Sequence, residues 1–439
     1  MSTEAVSIAR EGAVAPVSAV ERVQTLDVLR GISLFGILMV NILDYAPAPQ
    51  SVADRLTVQV IDVVAEGSFY PLFSLLFGVG FAVFLDRAAA RGSNGVMLYL
   101  RRLAGLLLIA MLQIILLEDR NILVRYAFLG VPLLLFWRAS TRVCLGAAIL
   151  CFGLAVARAP ISRALADGAT RDPVVAVSPR EIGVADQTPR QAREAELQRV
   201  AGTHSFLSFA AFRARWQVPA QLSRSINLRR NPTLFHILGM FLLGVSAWRS
   251  GLFSRPSEYR RLLIHALMWG GLFGVAGNLA VSLGSDGGPV APLAGWPGLI
   301  ATVALLANTA LTFCYIAAIV LLLSTAGDAW RRRVMPFALI GRMGLTNYLW
   351  QSVAMSLLFL PYGLRLRGTY ATWVYPLIGV IIFLSHLPLT AVWLRRYRFG
   401  PVEWLWRGAT YGRLPPLRLT PETSTASAPA GQSTAYCER

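Results

Sequence analysis

The stretch TLDVLRGISLFGILMVNILDY, from Thr25 to Tyr45, has the length and apolar content of a membrane-spanning helix. A helix of about 20 mainly apolar residues is long enough to cross the hydrocarbon layer of a bilayer. The same stretch carries four strongly polar residues, Asp27, Arg30, Asn41 and Asp44. It therefore predicts a membrane helix whose polar residues need a physical explanation.

Composition supports a membrane protein. The 439-residue chain is 55% hydrophobic and 15% charged, with a mean hydropathy of +0.55, which is too apolar for an ordinary soluble domain. Its net charge is +18, but the basic residues form short clusters between apolar runs. We interpret these clusters as topology signals and expect no nucleic-acid partner.

Ten segments have the length and hydropathy of membrane spans. They are 26–46, 69–86, 98–117, 121–138, 142–158, 233–250, 262–283, 297–324, 335–360 and 370–394. Every second connecting loop is rich in arginine, and short arginine-rich loops stay in the cytoplasm. Only Arg365 and Arg367, in a predicted outer loop, depart from this alternation. The pattern predicts an all-α, polytopic bundle of about ten transmembrane helices with both termini cytoplasmic.

The predicted spans divide the chain into five parts. These are a cytoplasmic tail (1–22), a first half of about five helices (23–158), an extracytoplasmic segment with amphipathic helices (159–232), a second half of about five helices (233–412) and a disordered tail (413–439). Long extracytoplasmic segments cross the membrane largely regardless of their charge. The second half ends in an interfacial motif.

The polar residues of the first helix share one face. Arg30 and Asn41 are separated by about 20° around the helix and roughly 16 Å along its axis. Asp27 and Asp44 lie within about 60° of Arg30. Either the inner residues snorkel to the interface while the outer ones lie at the opposite end, or the face borders a water-filled cleft between helices. The shared face favours the cleft.

Further polar residues occur inside or beside other spans. Gln113 lies near the end of the third span, and Asn121 and Tyr126 open the fourth after a very short outer turn. His236 is near the outer start of the sixth span, and His386 is deep in the tenth. A lone buried histidine is more often structural than catalytic. Four scattered histidines without carboxylate spacing predict no metal site.

Two motifs follow in the second half. In GRMGLTNYLWQS, Asn347 and Gln351 are one turn apart, a spacing typical of helix packing. In FGPVEWLWRGATYG, Trp404 and Trp406 are typical of an interfacial anchor, and a lid over the donor entrance is the functional alternative. Glu403 is expected either to pair with an inner arginine or to cap a helix start.

Four stretches carry a family resemblance. LDVLRGISLFGILMVN, FYPLFSLLFGVGF, RMGLTNYLWQS and RRYRFGPVEWLWRGATYG resemble, in order, the signatures of the YeiB family of bacterial integral membrane proteins. The resemblance covers about 22–412, except for 159–232. It implies a multi-pass protein of the bacterial inner membrane. That family in turn resembles the transmembrane acyltransferase superfamily, which includes heparan-alpha-glucosaminide N-acetyltransferase and bacterial enzymes that O-acylate surface polysaccharides.

The resemblance implies acyl transfer from acyl-CoA, used as a co-substrate without any bound cofactor, to an extracytoplasmic acceptor. The partners expected are the lipid bilayer, a polysaccharide, lipid or small-molecule acceptor, and a second copy of the chain in a homodimer. Arg30, with Asp27 and Arg342, would bind the acyl donor. Asn41 stands where the O-acyltransferases have histidine and can donate to an oxyanion but cannot act as a base. The polar residues expected in the pocket are Asp44, Tyr126, Asn347 and Gln351.

Two departures from the family bear on catalysis. Gln113 stands where YeiB-like sequences usually have histidine, and Asn121 replaces their aspartate. Both amides keep hydrogen bonding but lose proton transfer. Either His236 has become the base, so that His236, Asn41, Gln113 and Asn121 form the catalytic group, or the protein is a catalytically silent partner in envelope biosynthesis. A transporter or flippase built from two inverted halves is the other alternative.

Overall fold

The fold is helical throughout the part of the chain that the structure, a computed structural model, describes. That part comprises 24–117, 121–164, 187–227, 231, 233–285, 297–325 and 328–419. The regular elements there are all helices, with one isolated bridge between Tyr397 and Arg418. The predicted all-α class is thus confirmed. The expectations for 1–22, for most of 159–186 and for 420–439 fall outside the described residues.

Sixteen helices occur in these ranges. They are α1 Gln24–Ile42, α2 Val52–Val64, α3 Phe69–Ala90, α4 Gly95–Leu116, α5 Leu123–Leu133, α6 Thr141–Ala164, α7 Gln187–Thr203, α8 Phe206–Phe212, α9 Val218–Ile226, α10 Thr233–Arg249, α11 Arg260–Ser285, α12 Pro297–Thr325, α13 Asp328–Arg342, α14 Gly344–Phe359, α15 Val374–Arg396 and α16 Pro401–Tyr411. Short 3-10 turns, Leu43–Tyr45 and Leu134–Phe136, extend α1 and α5.

Hydropathy identifies this bundle as a multi-pass membrane protein. Six helical segments are long and apolar enough to cross a bilayer: Gln24–Tyr45, Val52–Ala90, Gly95–Leu116, Arg260–Gly284, Gly298–Thr325 and Val374–Arg396. Shorter apolar helices are Leu123–Phe136, Thr141–Ala157 and Thr233–Arg249. We call the end of the bundle that carries α16 the predicted inner end, and the end that carries α7 to α9 the predicted outer end.

Helix α1 occupies the centre of the bundle, where Leu29, Leu34 and Leu38 are fully buried. It crosses α13 at very short range because two glycines lie at the crossing. A Cβ atom on Gly31 would lie 2.1 Å from the Phe337 carbonyl oxygen, and one on Gly341 would lie 1.9 Å from that of Asp27. Small residues allow such close approach between membrane helices.

The predicted span 335–360 is divided in two. Helix α13 ends at Arg342 and α14 begins at Gly344, because Met343 leaves the helical conformation with φ −110° and ψ 40°. The Ile340 carbonyl, near the end of α13, accepts from Met343 N at 3.1 Å and from Asn347 Nδ2 at 2.9 Å. Side-chain and turn bonds therefore satisfy backbone groups that the break would otherwise leave unpaired.

The stretch between the first two predicted spans contains helix α2, which the sequence analysis did not predict. Ser51 and Asp54 form a capping box at its start. The second carboxylate oxygen of Asp54 accepts from Trp373 N at 3.1 Å, which ties this loop to the start of α15. Arg367, exceptional in a predicted outer loop, has its guanidinium 5.8 Å from the centre of the Tyr45 ring.

Candidate functional site

At the predicted inner end, two of the three expected donor-binding residues, Asp27 and Arg30, form an ion pair. Arg30 Nη1 donates to Asp27 Oδ1 at 2.9 Å. Asp27 is buried, whereas the Arg30 side chain is 31% exposed. Because Gly341 packs directly on the Asp27 backbone, the next residue, Arg342, lies at the same level along α1.

Helix α16 adds further groups to this end. The indole N–H of Trp406 donates to the Arg102 carbonyl at 2.7 Å, and the Arg102 guanidinium lies 3.9 Å from the Trp406 ring centre. The other expected interfacial tryptophan, Trp404, donates to the Pro415 carbonyl at 2.8 Å. Both indole N–H groups thus bind the protein's own backbone.

Three guanidinium groups from three helices meet here. Arg102 of α4 lies within electrostatic range of Arg30 of α1 and Arg407 of α16. We call Arg30, Arg102 and Arg407 the inner arginine cluster. Like charges held together in a protein favour the binding of an anion, and guanidinium groups match phosphate oxygens well. Sequence reasoning missed Arg102 as a site residue because its position in an inner loop was interpreted only as a topology signal.

Glu403 of α16 holds the start of α14. Its Oε1 atom accepts from Leu345 N at 2.7 Å and from Thr346 N at 3.0 Å. Its Oε2 atom accepts from the Thr346 hydroxyl, which itself accepts from Val402 N at 3.2 Å. Of the two roles expected for Glu403, the structure shows helix capping. The carboxylate lies at the N-terminus of α14, where the positive end of the helix dipole stabilises a negative charge.

At the predicted outer end, the two family-divergent amides bind each other. Asn121 Nδ2 donates to Gln113 Oε1 at 2.8 Å, and Gln113 Nε2 donates to Ser352 Oγ at 2.9 Å. Gln113, Asn121 and Ser352 are 2%, 4% and 1% exposed, so this chain of hydrogen bonds is enclosed by protein. We call it the amide pair and its serine.

Asn121 also organises the start of α5. Its Oδ1 atom accepts from Leu123 N at 2.7 Å and Val124 N at 3.3 Å, as an N-cap residue does. Its backbone carbonyl accepts from Gln221 Nε2 of α9 at 2.8 Å. An aspartate at 121 could form the same cap, so asparagine and aspartate at this position would differ in charge rather than in the hydrogen bonds to Leu123 N and Val124 N.

His236 is fully buried, with both ring nitrogens engaged. Nε2 lies 2.8 Å from Thr309 Oγ1, and Nδ1 lies 3.1 Å from the Tyr70 hydroxyl. Because the Thr309 hydroxyl donates to the Leu305 carbonyl at 2.7 Å, Nε2 must be the protonated nitrogen. Nδ1 then accepts from the Tyr70 hydroxyl, so both ring nitrogens of His236 are engaged by groups of the protein.

Tyr70 also connects this histidine to Tyr126. The Tyr126 hydroxyl donates to the Tyr70 carbonyl at 3.1 Å and lies 2.7 Å from Ser74 Oγ. Tyr126 is fully buried. Asn121 of the amide pair thus caps the start of α5, and just over one turn later the helix carries Tyr126, which binds the Tyr70 backbone next to the hydroxyl that contacts His236.

The remaining polar residues of the second half bind helices to one another. Asn347 Nδ2 reaches Thr390 Oγ1 of α15 at 3.2 Å, and Gln351 Nε2 reaches the Leu34 carbonyl of α1 at 3.3 Å. His386 Nε2 of α15 lies 3.2 Å from the Asn347 carbonyl of α14. These contacts have the geometry of packing contacts.

The outer part of the α1 face differs from its inner part. Asn41 is partly exposed, and its amide makes no hydrogen bond to any residue that the structure describes. Asp44, near it, accepts at its backbone carbonyl from Arg367 Nη2 at 3.4 Å. In the outer part of this face, Asn41 therefore has a side-chain amide that is available to a ligand.

A cavity of about 280 Å³ lies at the outer ends of α4 and α14. Its lining residues are Leu116, Leu117, Phe206, Val353, Ser356, Leu357 and Tyr362. Ser356 donates to the Leu117 carbonyl at 2.9 Å and is one turn from Ser352, which binds Gln113. The space is mostly apolar. Within the described ranges, no group of three His, Cys, Asp or Glu is placed to hold a metal ion.

Several of these residues escaped sequence reasoning. Tyr70 lies in the quoted FYPLFS stretch but gave no signal of a role, and Thr309 and Ser352 are of a type common in apolar helices. Their partners are 166, 73 and 239 positions away. No local pattern connects residues so far apart.

Comparison with known proteins gives matches along most of the chain. A family model described as "Protein of unknown function (DUF418)" matches 247–413. "Uncharacterized protein YxaH" of Bacillus subtilis (strain 168) is 31% identical over 419 residues, which is 89% of this chain and 94% of that relative. "Uncharacterized 39.9 kDa protein in amylase 3'region" of Bacillus acidopullulyticus is 28% identical, and the match covers 93% of this chain and 99% of that relative. "Uncharacterized protein YeiB" of Escherichia coli (strain K12) is 26% identical, and the match covers 89% of this chain and 96% of that relative.

Proposed function

Because this chain belongs to the YeiB-like family of multi-pass membrane proteins, we propose that it is an acyltransferase-like protein of the bacterial inner membrane. It would pass an acyl group from a cytoplasmic acyl-CoA to an acceptor in the cell envelope. The observation that carries the proposal is the inner arginine cluster, which offers guanidinium groups where a cytoplasmic donor would arrive.

Arg30 is suited to hold the donor's phosphates. Its Nη1 atom is bound to Asp27, whereas Nε and Nη2 make no hydrogen bond to the described residues. Those two nitrogens form one side of the guanidinium fork and can donate to a phosphate together. The thioester arm would then extend along the polar face of α1 toward Asn41, roughly 16 Å away along the helix.

Acyl transfer itself needs a base and an oxyanion donor. The acceptor oxygen attacks the thioester carbonyl carbon, the carbon–sulfur bond breaks, and the acceptor proton finally reaches the CoA thiolate. In this proposal Asn41 donates its amide N–H to the developing oxyanion. Tyr70 relays the acceptor proton to His236 Nδ1, the nitrogen that its hydroxyl already contacts.

Donor binding gives the first test. We expect Arg30→Gln to weaken acyl-CoA binding to the purified protein at least tenfold, or about 1.4 kcal/mol, because a charged phosphate contact is lost. Calorimetric titration measures this, and thiol release in the presence of envelope extracts measures turnover. Arg255→Gln is the matched control, since Arg255 also forms an i,i+3 ion pair, with Glu258 at 3.2 Å. Wild-type protein that binds no acyl-CoA, or equal binding by both variants, would overturn the proposal.

The amide pair gives the second test. We expect Gln113→His combined with Asn121→Asp to raise turnover about 100-fold, within the range that a positioned general base contributes. The new carboxylate keeps the cap on Leu123 N and lies within reach of position 113, so it can orient the new imidazole. The single variants serve as controls, since neither alone makes an oriented base. A folded double variant with unchanged turnover would favour the silent partner.

One observation favours the transporter alternative. The break between α13 and α14 is of the kind that transporters use at their binding sites. However, the N–H groups freed at the start of α14 are already bound by Glu403. The break is therefore closed by the protein itself, and we place transport below acyl transfer.

A further inference from the structure

Two arginines lie close together at the predicted outer end, away from the inner arginine cluster. Arg125 is one turn beyond Asn121 on α5, and Arg224 is one turn beyond Gln221 on α9. The hydrogen bond from Gln221 Nε2 to the Asn121 carbonyl joins the two helices at 2.8 Å. Arg125 and Arg224 are within electrostatic range of each other. Neither guanidinium has a hydrogen bond or ion pair with any residue that the structure describes.

Buried polar atoms of these arginines and of residues next to them also have no hydrogen-bond partner among the described residues. They include Arg125 Nε, Ser225 Oγ and Asn231 Oδ1. Ser225 follows Arg224 in the chain and is 1% exposed, and Asn231 donates to the Arg224 carbonyl at 3.4 Å. Nearly all buried polar atoms in proteins have a hydrogen-bond partner. Three such atoms, on Arg125 itself and on two residues attached to or bound by Arg224, indicate polar groups available to a ligand at this end.

The positive charge of the two arginines indicates that the ligand is an anion. Among the residues that the structure describes, the electrostatic neighbours of Arg125 are Arg224 and the hydroxyl-bearing residues Tyr70 and Tyr126, none of which is a carboxylate. Two guanidinium groups and a serine hydroxyl offer more donors than a carboxylate can accept. They suit the three or more oxygens of a phosphate, which guanidinium groups bind in bidentate fashion.

We propose that Arg125, Arg224 and Ser225 bind a phosphate group on a substrate presented at the predicted outer end. The phosphate belongs either to a lipid headgroup or to a soluble phosphate ester, since both offer the same oxygens. The identification of this phosphate compound as the acyl acceptor rests on the proposed function. Phosphate binding at this site does not depend on it. Because Arg125 lies beside Tyr70, a phosphate held there places the rest of the molecule near the Tyr70–His236 pair.

The experiment measures binding without any acyl donor, so its outcome is independent of acyl transfer. Full-length protein in neutral detergent is titrated with dioctanoyl phosphatidic acid and, separately, with glycerol 1-phosphate. We expect at least one probe to bind, and Arg125→Gln and Arg224→Gln each to weaken that binding at least tenfold. The probe that binds identifies the source of the phosphate. Arg215→Gln is the matched control, because Arg215 is an exposed arginine of the same outer region, 3.7 Å from Glu196.

Thermal unfolding of the ligand-free variants separates binding from folding. Arg125→Gln and Arg224→Gln are expected to unfold at or above the wild-type temperature, because each removes repulsion between like charges. Ser225→Ala tests the site without changing charge and should weaken binding several-fold. No binding of either probe, equal binding by wild type and both arginine variants, or a fall in unfolding temperature for both would overturn the proposal. In that last case the arginines would be structural.

Discussion

Gly341→Ala is expected to destabilise the protein by about 3 kcal/mol, the upper end of what overpacking that forces backbone shifts typically costs. The added Cβ atom would lie 1.9 Å from the Asp27 carbonyl oxygen and 3.0 Å from Gly31 N, both backbone atoms. No side-chain rotation relieves such contacts, so α1 and α13 must move apart. Arg342 then separates from the Asp27–Arg30 pair, and acyl-CoA binding should fall together with stability. Fluorescence-detected thermal unfolding in detergent measures the first effect.

A neighbouring glycine provides the control. A Cβ atom on Gly344, three residues further along, would meet nothing within 4 Å. Gly344→Ala should therefore change stability by less than about 0.5 kcal/mol, as substitutions away from packed contacts do. If Gly341→Ala and Gly344→Ala unfold at the same temperature, the close crossing does not limit stability.

Glu403→Ala should destabilise the protein by about 3 kcal/mol, because hydrogen bonds to a charged group contribute roughly 1.5 to 3 kcal/mol each and this carboxylate is only partly buried. The carboxylate is the acceptor for Leu345 N, Thr346 N and the Thr346 hydroxyl. Without it, the first turn of α14 loses its cap and α16 loses its attachment. Amide hydrogen exchange at 344–347 and the unfolding temperature both measure this change.

A second glutamate at the predicted inner end, Glu258, provides a control that separates the loss of a helix cap from the loss of a surface charge. Glu258 is exposed and pairs with Arg255 at 3.2 Å. Glu258→Ala should cost less than about 1 kcal/mol, as exposed ion pairs do. Equal losses for Glu403→Ala and Glu258→Ala would contradict a capping role. Because α16 carries Arg407 and Trp406, the Glu403 variant should also weaken acyl-CoA binding, which the Glu258 variant should leave unchanged.

Part of the candidate site could be predicted from sequence and part could not. The short outer turn between the third and fourth spans predicted that Gln113 and Asn121 would be neighbours, and the structure joins them directly. The inner position of Arg30 was likewise readable from the arginine pattern. By contrast, Tyr70 became relevant only when it was found against His236, and Arg125 only when α9 was found beside α5.

The sequence by itself determined that the chain is an all-helical, multi-pass membrane protein of the YeiB-like family, because the preference of a segment for lipid depends on its own residues. Tertiary structure decided which polar groups meet where the partners are distant in sequence. The break at Met343, the Glu403 cap and the pairing of Arg125 with Arg224 each depend on helices distant in sequence. The physical reason is that an apolar environment requires every buried polar group to find a partner, but only the packing of helices determines which partner lies within reach.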